Sequence, residues 1–454
     1  MPKKIDYLLR THNKGLKSGN ARLLRYATLY IYLHFNFNQQ EEKTHNRRYP
    51  LKLKLSLTAL ALMGQTAAHA APLLVDFDDS EREERVQASN AWLEIDTQAF
   101  SNNIQLLQKD LKGNTQICAI MKADAYGNGI AGLMPSIIAN NVACVGITSN
   151  EEARVVREHG FEGKIMRVRA ASRNEIENGV QYEIEELIGT KMQADQIIEI
   201  AYNYNTVIPV HLALNTSGMG RNGLDLTTYE GQVEGVEIAS DPNLKIVGMM
   251  THFPNEGLDE IRRKVDRFKV ETKWLMDSAG LKRKDITLHV ANSYITLNLP
   301  EAHLDMVRPG GMLYGDYPAT LPYERIVSFK TRVASLHFFP AGSTIGYGST
   351  KVLERDSILA NLPIGYSDGF ARSLSNKADV LINGQRARVM GKASMNTTMV
   401  DVTDIIGVQA NDEVVVFGRQ GFEEITAEET EEKSGRILPE HYTIWGATNP
   451  RVYR

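Results

Sequence analysis

The strongest constraint on the fold of this chain is an alternation of strand-like and helix-like segments between residues 116 and 310. The strand-like segments are short apolar runs, and amphipathic segments lie between most of them. About eight such repeats predict a (β/α)8 barrel, whose active site lies at the carboxyl ends of its strands. A doubly wound open sheet is the alternative for the same pattern. The runs are QICAIMK, VACVGIT, KIMRVRA, EELIG, IPVHLAL, KIVGMMTHF, ITLHVAN and LDMVRPG.

The sequence pattern changes near Leu321. Segments such as ADVLINGQRARVMGKAS and DEVVVFG are rich in strand-forming residues, with turns such as Asn383-Gly384. We therefore predict the fold class α/β, with a barrel over residues 90–320 followed by a mainly β C-terminal domain over 321–454. Before the first barrel helix, AWLEID is strand-like, and Thr97 is expected to cap the helix that follows it.

The first 89 residues differ from the rest of the chain. A basic stretch at 47–54 precedes an apolar run at 55–63 and the small residues 68–70, which is the layout of a secretory signal peptide. The apolar run is too short to span a bilayer as a mature helix. We expect an upstream extension foreign to the native protein at 1–46, a signal peptide at 47–70 cleaved after Ala70, and a linker at 71–89. The mature protein is then periplasmic and free of membrane segments.

Charge and cysteine content narrow the function classes further. The net charge of the 454 residues is −4, which gives no indication of a nucleic-acid partner. The two cysteines, Cys118 and Cys144, lie in apolar runs that are predicted to be neighbouring strands. In an oxidising compartment they could form a disulfide, and two buried free thiols are the alternative.

Polar side chains collect where the barrel strands should end. No spacing typical of a metal site is present, nor a P-loop, nor a GxGxxG segment that opens a helix after a strand. One lysine, several arginines and glycine-rich turns suit a phosphate-bearing carbonyl cofactor held as a Schiff base. The strand-end residues are Lys122, Arg221, His252, Asn292, Ser293 and Arg308. Lys122 alone could also be a lysine whose stem covers a strand end while its amine reaches solvent.

Eight segments in order resemble the alanine racemase family, which comprises pyridoxal 5′-phosphate (PLP) enzymes with a (β/α)8 barrel and a C-terminal β domain. The resemblance runs from about residue 90 to the end of the chain. The segments are AIMKADAYGNG, NTSGMGRNG, MMTHF, HVANS, VRPGGMLYG, GSTIGYGST, LPIGYSDGFAR and HYTIWGATNPRVYR.

The resemblance implies roles for particular residues. Lys122 would carry PLP as a Schiff base and act as one catalytic base, with Tyr347 as the second base on the opposite face of the substrate. His252 would assist Tyr347, Arg308 would face the pyridine nitrogen, and Arg221 would reach the phenolic oxygen of the cofactor. The remaining cofactor-binding residues, most of them at the phosphate, would be Tyr126, Asn292, Ser293, Gly310, Gly311 and Tyr442.

The resemblance also implies a homodimer with a shared active site. The substrate carboxylate would be bound by Arg221 together with Met395 and Tyr366. Tyr347 and Met395 would be supplied by the partner subunit.

Departures from the family pattern bear on the substrate. Ala213 stands where the family has a carbamylated lysine and Asn215 where it has an aspartate, so a chloride could bind near Arg221 instead. Ser394 and Asn396 replace a cysteine and a second aspartate of the family. With the export signal, these changes resemble periplasmic racemases that act on several free amino acids. A dedicated alanine racemase is the nearest alternative, followed by a PLP decarboxylase and by a non-catalytic PLP carrier.

Overall fold

The structure, a computed structural model, describes residues 84, 86–254, 257–317 and 320–454. The predicted upstream extension and signal peptide lie outside the described residues, as does most of the linker. Among the described helices, none combines the length and the apolar character needed to cross a bilayer.

The first strand, β1 (Ala91–Ile95), leads into the helix α1 (Thr97–Asp110). Asp96, not Thr97, caps this helix, because its carboxylate accepts a hydrogen bond of 2.8 Å from the Ala99 amide. The prediction for the cap was therefore wrong by one residue. β1 pairs with strands of the C-terminal part of the chain and not with the barrel.

Eight parallel strands form the barrel: β2 to β8 are neighbours in chain order, and the last strand, β9, pairs with β2. Backbone hydrogen bonds close it between the last two strands, from Asp305 to Leu288 (3.1 Å) and from Arg308 to Ala291 (2.8 Å). An open doubly wound sheet is thereby excluded, and the predicted barrel is confirmed. The strands are β2 (Gln116–Ile120), β3 (Cys144–Ile147), β4 (Lys164–Arg167), β5 (Ile184–Ile188), β6 (Pro209–Ala213), β7 (Lys245–Met250), β8 (Thr287–His289) and β9 (Met306–Val307).

Amphipathic helices connect the barrel strands. Two of them begin with capping boxes, in which a serine and a glutamate three residues later satisfy each other's backbone amides: Ser149 with Glu152, and Ser172 with Glu175. The helices are α2 (Ile130–Ala139), α3 (Asn150–Glu158), α4 (Arg173–Gly179), α5 (Lys191–Asn203), α6 (Tyr229–Ala239), α7 (Leu258–Ala279) and α8 (Ser293–Asn298).

The C-terminal part is mainly β, as predicted. Its described strands form three sheets. One has seven strands and includes β1, and the other two have three and two strands. The strands are β10 (Val327–Arg332), β11 (Ser335–Phe339), β12 (Thr344–Ile345), β13 (Lys351–Val352), β14 (Ser357–Leu362), β15 (Asp379–Ile382), β16 (Gln385–Arg388), β17 (Thr398–Asp401), β18 (Glu413–Gln420), β19 (Glu423–Ile425) and β20 (Arg451–Tyr453). The helices are α9 (Ala427–Ser434) and α10 (Leu438–Thr448).

The C-terminal segment packs against the loop that follows β2. Gly446 and the backbone of Tyr442, both in α10, approach Gly127 so closely that a Cβ on Gly127 or Gly446 would overlap backbone atoms. Arg451 donates a 2.7 Å hydrogen bond to the Gly127 carbonyl, and Tyr453 donates one of 3.0 Å to the Asn128 carbonyl. The end of the chain therefore fixes the loop that begins at Lys122.

Cys118 and Cys144 lie directly opposite each other on β2 and β3, with their Cα atoms 4.2 Å apart, and they form a disulfide. Both are fully buried. Of the two alternatives that the sequence left open, the structure contains the bonded one.

We predict that replacing both cysteines by alanine lowers the free energy of unfolding by about 3 kcal/mol, because a cross-link spanning 26 residues no longer restricts the unfolded chain. Chemical denaturation with and without reductant measures this difference. Reductant should weaken the unaltered protein and leave the double variant unchanged. Two reactive thiols in the denatured, unreduced protein would contradict the disulfide.

Candidate active site

A cavity of about 460 Å³ opens at the carboxyl ends of the barrel strands. Its walls come from residues that follow β2, β3, β4, β7, β8 and β9, together with the loop after β6. This is the end of a (β/α)8 barrel where functional side chains collect. The predicted residues that line it are Lys122, Tyr126, Arg221, His252, Asn292, Ser293, Arg308 and Gly310.

Lys122 enters this cavity from an unusual backbone turn. Ala123, Asp124, Ala125 and Tyr126 all have left-handed φ angles, between 52° and 57°. The Asp124 carboxylate holds the turn by accepting a 2.8 Å hydrogen bond from the Ile130 amide and by pairing with Arg451 at 2.7 Å. A left-handed turn therefore follows Lys122 directly.

The Lys122 amine is adapted to react with a carbonyl group. Burial lowers its pKa, and the positive charge of Arg221 lowers it further, while Glu152 acts in the opposite direction. A larger fraction of the amine is then neutral near pH 7, and only the neutral amine is a nucleophile. The amine lies 5.8 Å from the centre of the Tyr126 ring.

Arg308 is a buried cation held by several acceptors. Its Nη1 donates to Nδ1 of His289 at 2.8 Å, and its Nη2 donates to the Thr251 carbonyl at 2.9 Å. Nη2 also lies 3.5 Å from Nδ1 of His252. The hydrogen bonds that Arg308 makes to the described residues use these two terminal nitrogens, which leaves its Nε–H for a ligand in the cavity.

The hydrogen bonds of Arg308 continue through the barrel. Nε2 of His289 lies 2.8 Å from Nδ1 of His211, whose Nε2 lies 2.8 Å from the Glu185 carboxylate. Because Arg308 can only donate, His289 must accept at Nδ1 and donate from Nε2, and His211 must do the same toward Glu185. The chain of donors therefore runs in one direction, from the cation to the carboxylate.

The two histidines beside Arg308 are neutral at physiological pH. Burial and the charge of Arg308 lower the pKa of His252 to about 3, and the same causes hold the pKa of His289 well below its usual value. Burial, followed by the charge of Arg221, lowers the pKa of Arg308 to about 9, so it remains a cation. With Lys122 and Arg221, the cavity favours a ligand that carries negative charge.

The glycine turn after β9 forms one wall of this site. The Gly310 and Met312 amides donate to the Ser293 hydroxyl oxygen, at 2.9 Å and 3.3 Å, so Ser293 is left to donate its own proton. A Cβ on Gly310 would overlap the Tyr126 hydroxyl, so only glycine allows this approach. A wall that offers hydroxyl donors fits a phosphate group. Asn292 accepts from the Ile295 amide at 3.0 Å and so positions Ser293 at the start of α8.

Tyr442 does not line the cavity. It is almost fully buried, and its hydroxyl donates to the Asp316 carboxylate at 2.6 Å. Within the turn, the Gly311 carbonyl accepts a 2.9 Å hydrogen bond from the Asp316 amide. The Tyr442–Asp316 pair therefore adjoins the glycine turn.

The predicted residues of the C-terminal domain lie apart from the cavity of their own chain. Tyr347 (69% exposed), Met395 (55%) and Tyr366 (44%) are not among the residues that line it. Their loops pack together: the Gly346 backbone adjoins the Gly391–Lys392 backbone, and the Tyr366 amide donates to the Ser394 carbonyl at 3.1 Å. They form a group of exposed side chains on the second domain.

Two residues that precede Arg221 in the sequence, Ala213 and Asn215, differ from the family pattern. Ala213 is buried against Leu187 and Met250. The side chain of Asn215 accepts a 3.0 Å hydrogen bond from the Gly220 amide and so shapes the loop that carries Arg221. Arg221 itself is exposed and makes no ion pair with a residue that the structure describes.

Four further polar residues line the cavity that were not predicted from the sequence. Thr148 and Arg169 follow β3 and β4, so the same strand-end rule that located Lys122 would have found them. Tyr294 and Tyr317 adjoin residues that were predicted, Ser293 and the VRPGGMLYG segment.

Two adjacent family descriptions match the chain. The N-terminal domain of alanine racemase matches residues 95–318, and the C-terminal domain of alanine racemase matches residues 326–453. The chain belongs to the alanine racemase family. Members of the alanine racemase family depend on PLP, and the family reaction is the racemisation of an amino acid. The donors of the cavity, described above, fit this cofactor.

Individual relatives are similar over most of their length. A broad specificity amino-acid racemase of Vibrio vulnificus (strain CMCP6) is 54% identical over 395 residues, which cover 87% of this chain and 97% of the relative. A lysine racemase of Proteus mirabilis is 45% identical over 364 residues, which cover 80% of this chain and 89% of the relative. The structure of alanine racemase from Streptomyces coelicolor A3(2) matches with a TM-score of 0.74 and 26% identity, covering 83% of this chain and 99% of that one.

Proposed function

We propose that this protein is a PLP-dependent racemase of several free amino acids, with Lys122 and Tyr347 as its two bases. The observation that carries the proposal is the Lys122 amine, which has a lowered pKa and lies in a strand-end cavity beside the buried Arg308. Similarity to racemases named for broad specificity and for lysine supports the range of substrates.

PLP, when bound, supplies an electron sink that acidifies the Cα–H of an amino acid linked to it. Lys122 holds the cofactor before the substrate arrives and afterwards moves the Cα proton on its own face. Arg308 would donate its Nε–H to the pyridine nitrogen of bound PLP, because its hydrogen bonds to the described residues occupy the two terminal nitrogens. Because a permanent cation there disfavours protonation of the ring, it limits the electron sink and guards against side reactions such as transamination.

Tyr347 moves the proton on the opposite face of the substrate. An unperturbed tyrosine has a pKa near 10 and is a weak base at neutral pH. The neutral His252, which accepts from Arg308 at Nδ1, keeps its Nε2–H to donate to the Tyr347 oxygen and stabilise the phenolate.

A homodimer brings these groups together. Tyr347, Met395 and Tyr366 are exposed on the second domain and lie apart from the cavity of their own chain, so we assign them to the cavity of the partner subunit. In this arrangement the Met395 amide and Tyr366 bind the substrate carboxylate together with Arg221. The exposure of these three predicted site residues is the observation that favours an active site shared between two subunits.

The pocket accepts side chains larger than the methyl group of alanine in this proposal. Ala213 and Asn215 replace a charged lysine and aspartate of the family pattern, and Ser394 and Asn396 replace a cysteine and a second aspartate. These changes remove charge and bulk near the substrate. A dedicated alanine racemase is the alternative that the same site could support.

A chloride near Arg221 takes the place of the missing carbamate. Arg221 is a cation beside Lys122, and the residue at 213 can carry no negative charge. An anion would restrain the guanidinium and offset the repulsion between the two cations. Crystals soaked in bromide test this site, and the absence of an anomalous peak beside Arg221 contradicts it.

We also propose export to the periplasm with cleavage after Ala70. The signal layout at 47–70 and the disulfide between Cys118 and Cys144 support this location, because disulfides persist in oxidising compartments. Mass spectrometry of the protein from fractionated cells tests it: a periplasmic form that begins at Ala71 is expected, and an intact chain in the cytoplasm contradicts export.

We predict that Tyr347→Phe retains the absorbance of bound PLP and loses racemase activity by about a hundredfold or more, the usual contribution of a positioned general base. The variant should still exchange the Cα proton of the enantiomer that faces Lys122. Tyr202→Phe is the matched control, since Tyr202 is 85% exposed on a barrel helix and is not among the residues that line the cavity. Equal activity of the Tyr347→Phe variant and the control would refute the two-base assignment.

The substrate range is tested by chiral chromatography after the purified protein and PLP are incubated with L-alanine, L-lysine, L-arginine and L-methionine. We expect D-enantiomers from several of the four, because the pocket lacks the family's charged groups at 213 and 215. Conversion of alanine alone would make the protein a dedicated alanine racemase.

A further inference from the structure

A hydrogen bond joins Tyr442 to Asp316 beside the glycine turn. The Tyr442 hydroxyl donates to the Asp316 carboxylate across 2.6 Å. A tyrosine hydroxyl has a single proton to donate, so while it serves Asp316 it cannot serve a second acceptor. A phosphate at this turn is such an acceptor, because its oxygens carry negative charge.

Asp316 lies against the turn itself. Its amide donates to the Gly311 carbonyl at 2.9 Å, and a Cβ built on Gly311 would lie 3.1 Å from the Asp316 carboxylate. An ionised Asp316 would therefore stand close to the negative charge of a phosphate and repel it. The ionisable groups that act on Asp316, or on which it acts, are Tyr126, Tyr314, Tyr317, Arg325, Glu431 and Tyr442.

A proton on Asp316 removes both difficulties. The protonated carboxyl is neutral, so the repulsion disappears. It also donates to the Tyr442 oxygen, which reverses the hydrogen bond and leaves the Tyr442 proton for the phosphate. Asp316 then donates to Tyr442, and Tyr442 donates to the phosphate, with one proton in each hydrogen bond.

We propose that Asp316 is a positioning residue of the cofactor site, which takes up a proton when the phosphate of PLP binds and thereby turns Tyr442 into a phosphate donor. This inference rests on the proposed function, since it requires PLP at the Gly310–Ser293 wall. It adds a residue to the site and makes cofactor affinity depend on pH.

The direction of the pH dependence follows from the surroundings of Asp316. Burial raises the pKa of Asp316 to about 7, although the hydrogen bond from Tyr442 and the charge of Arg325 act in the opposite direction. Nearby phosphate raises it further, so the complex holds the proton more tightly than the free protein does. The affinity for PLP is therefore highest below the pKa that Asp316 has in the free protein, and it falls as the pH rises through that pKa.

The test compares Asp316→Asn with the unaltered full chain, each freed of cofactor and titrated with PLP from pH 6 to pH 9. An asparagine amide mimics the neutral acid, because it can donate to the Tyr442 oxygen at any pH. The PLP dissociation constant of the unaltered protein, divided by that of Asp316→Asn, should be near one at pH 6. It should rise about tenfold per pH unit above pH 7 and reach about 100 at pH 9. Because both proteins keep Lys122, the pH dependence of its reaction with PLP cancels in the ratio.

Pyridoxal, which lacks the phosphate, and Tyr442→Phe are the controls. The ratio measured with pyridoxal should stay near one at every pH, and Tyr442→Phe should bind PLP more weakly at pH 6 with less pH dependence. A ratio that stays flat with PLP, or that changes equally with pyridoxal, overturns the role of Asp316 while the proposed function stands. Failure of every protein to bind PLP at any pH overturns both.

Discussion

The left-handed turn after Lys122 is the constraint on which the active site depends. Four consecutive L-residues with positive φ cost roughly 1–2 kcal/mol each relative to right-handed backbone, so the turn persists only where its surroundings hold it. Asp124 supplies the internal support, and Arg451 binds both Asp124 and the Gly127 carbonyl. The C-terminal segment therefore holds the turn that carries Lys122. In this way the β domain of a subunit supports the active site in the barrel of the same subunit.

The electrostatics of the cavity follow from a single buried cation. Among the residues that the structure describes, Arg308 makes no ion pair with a carboxylate, and its hydrogen bonds are to carbonyls and neutral imidazoles. The carboxylate of Glu185 lies three hydrogen bonds away, at the far end of His289 and His211. The charge is therefore only remotely compensated inside the protein. A cofactor that brings its own phosphate and phenolic oxygen completes the balance, which explains why PLP suits this barrel.

The sequence predicted the eight barrel strands because each is a local apolar run, and it located Lys122, Arg221, His252 and Arg308 because strand ends converge in this fold. It could not place β1, whose partners lie more than 200 residues away in the chain. The disulfide was equally undetermined, since it depends on the register between β2 and β3. The Asp316–Tyr442 hydrogen bond joins residues that are 126 positions apart, and no local pattern announces it.

The central claim is that Lys122 of one subunit works with Tyr347 of the other, and mixing two inactive variants tests it most directly. Lys122→Ala and Tyr347→Phe proteins, unfolded together and refolded or co-expressed, form mixed dimers in which one of the two sites has both bases. Random pairing should then restore about a quarter of the activity of the unaltered protein, because half of the dimers are mixed and each has one intact site. If the two residues act within one chain, no pairing restores a site, and the mixture stays as inactive as its components.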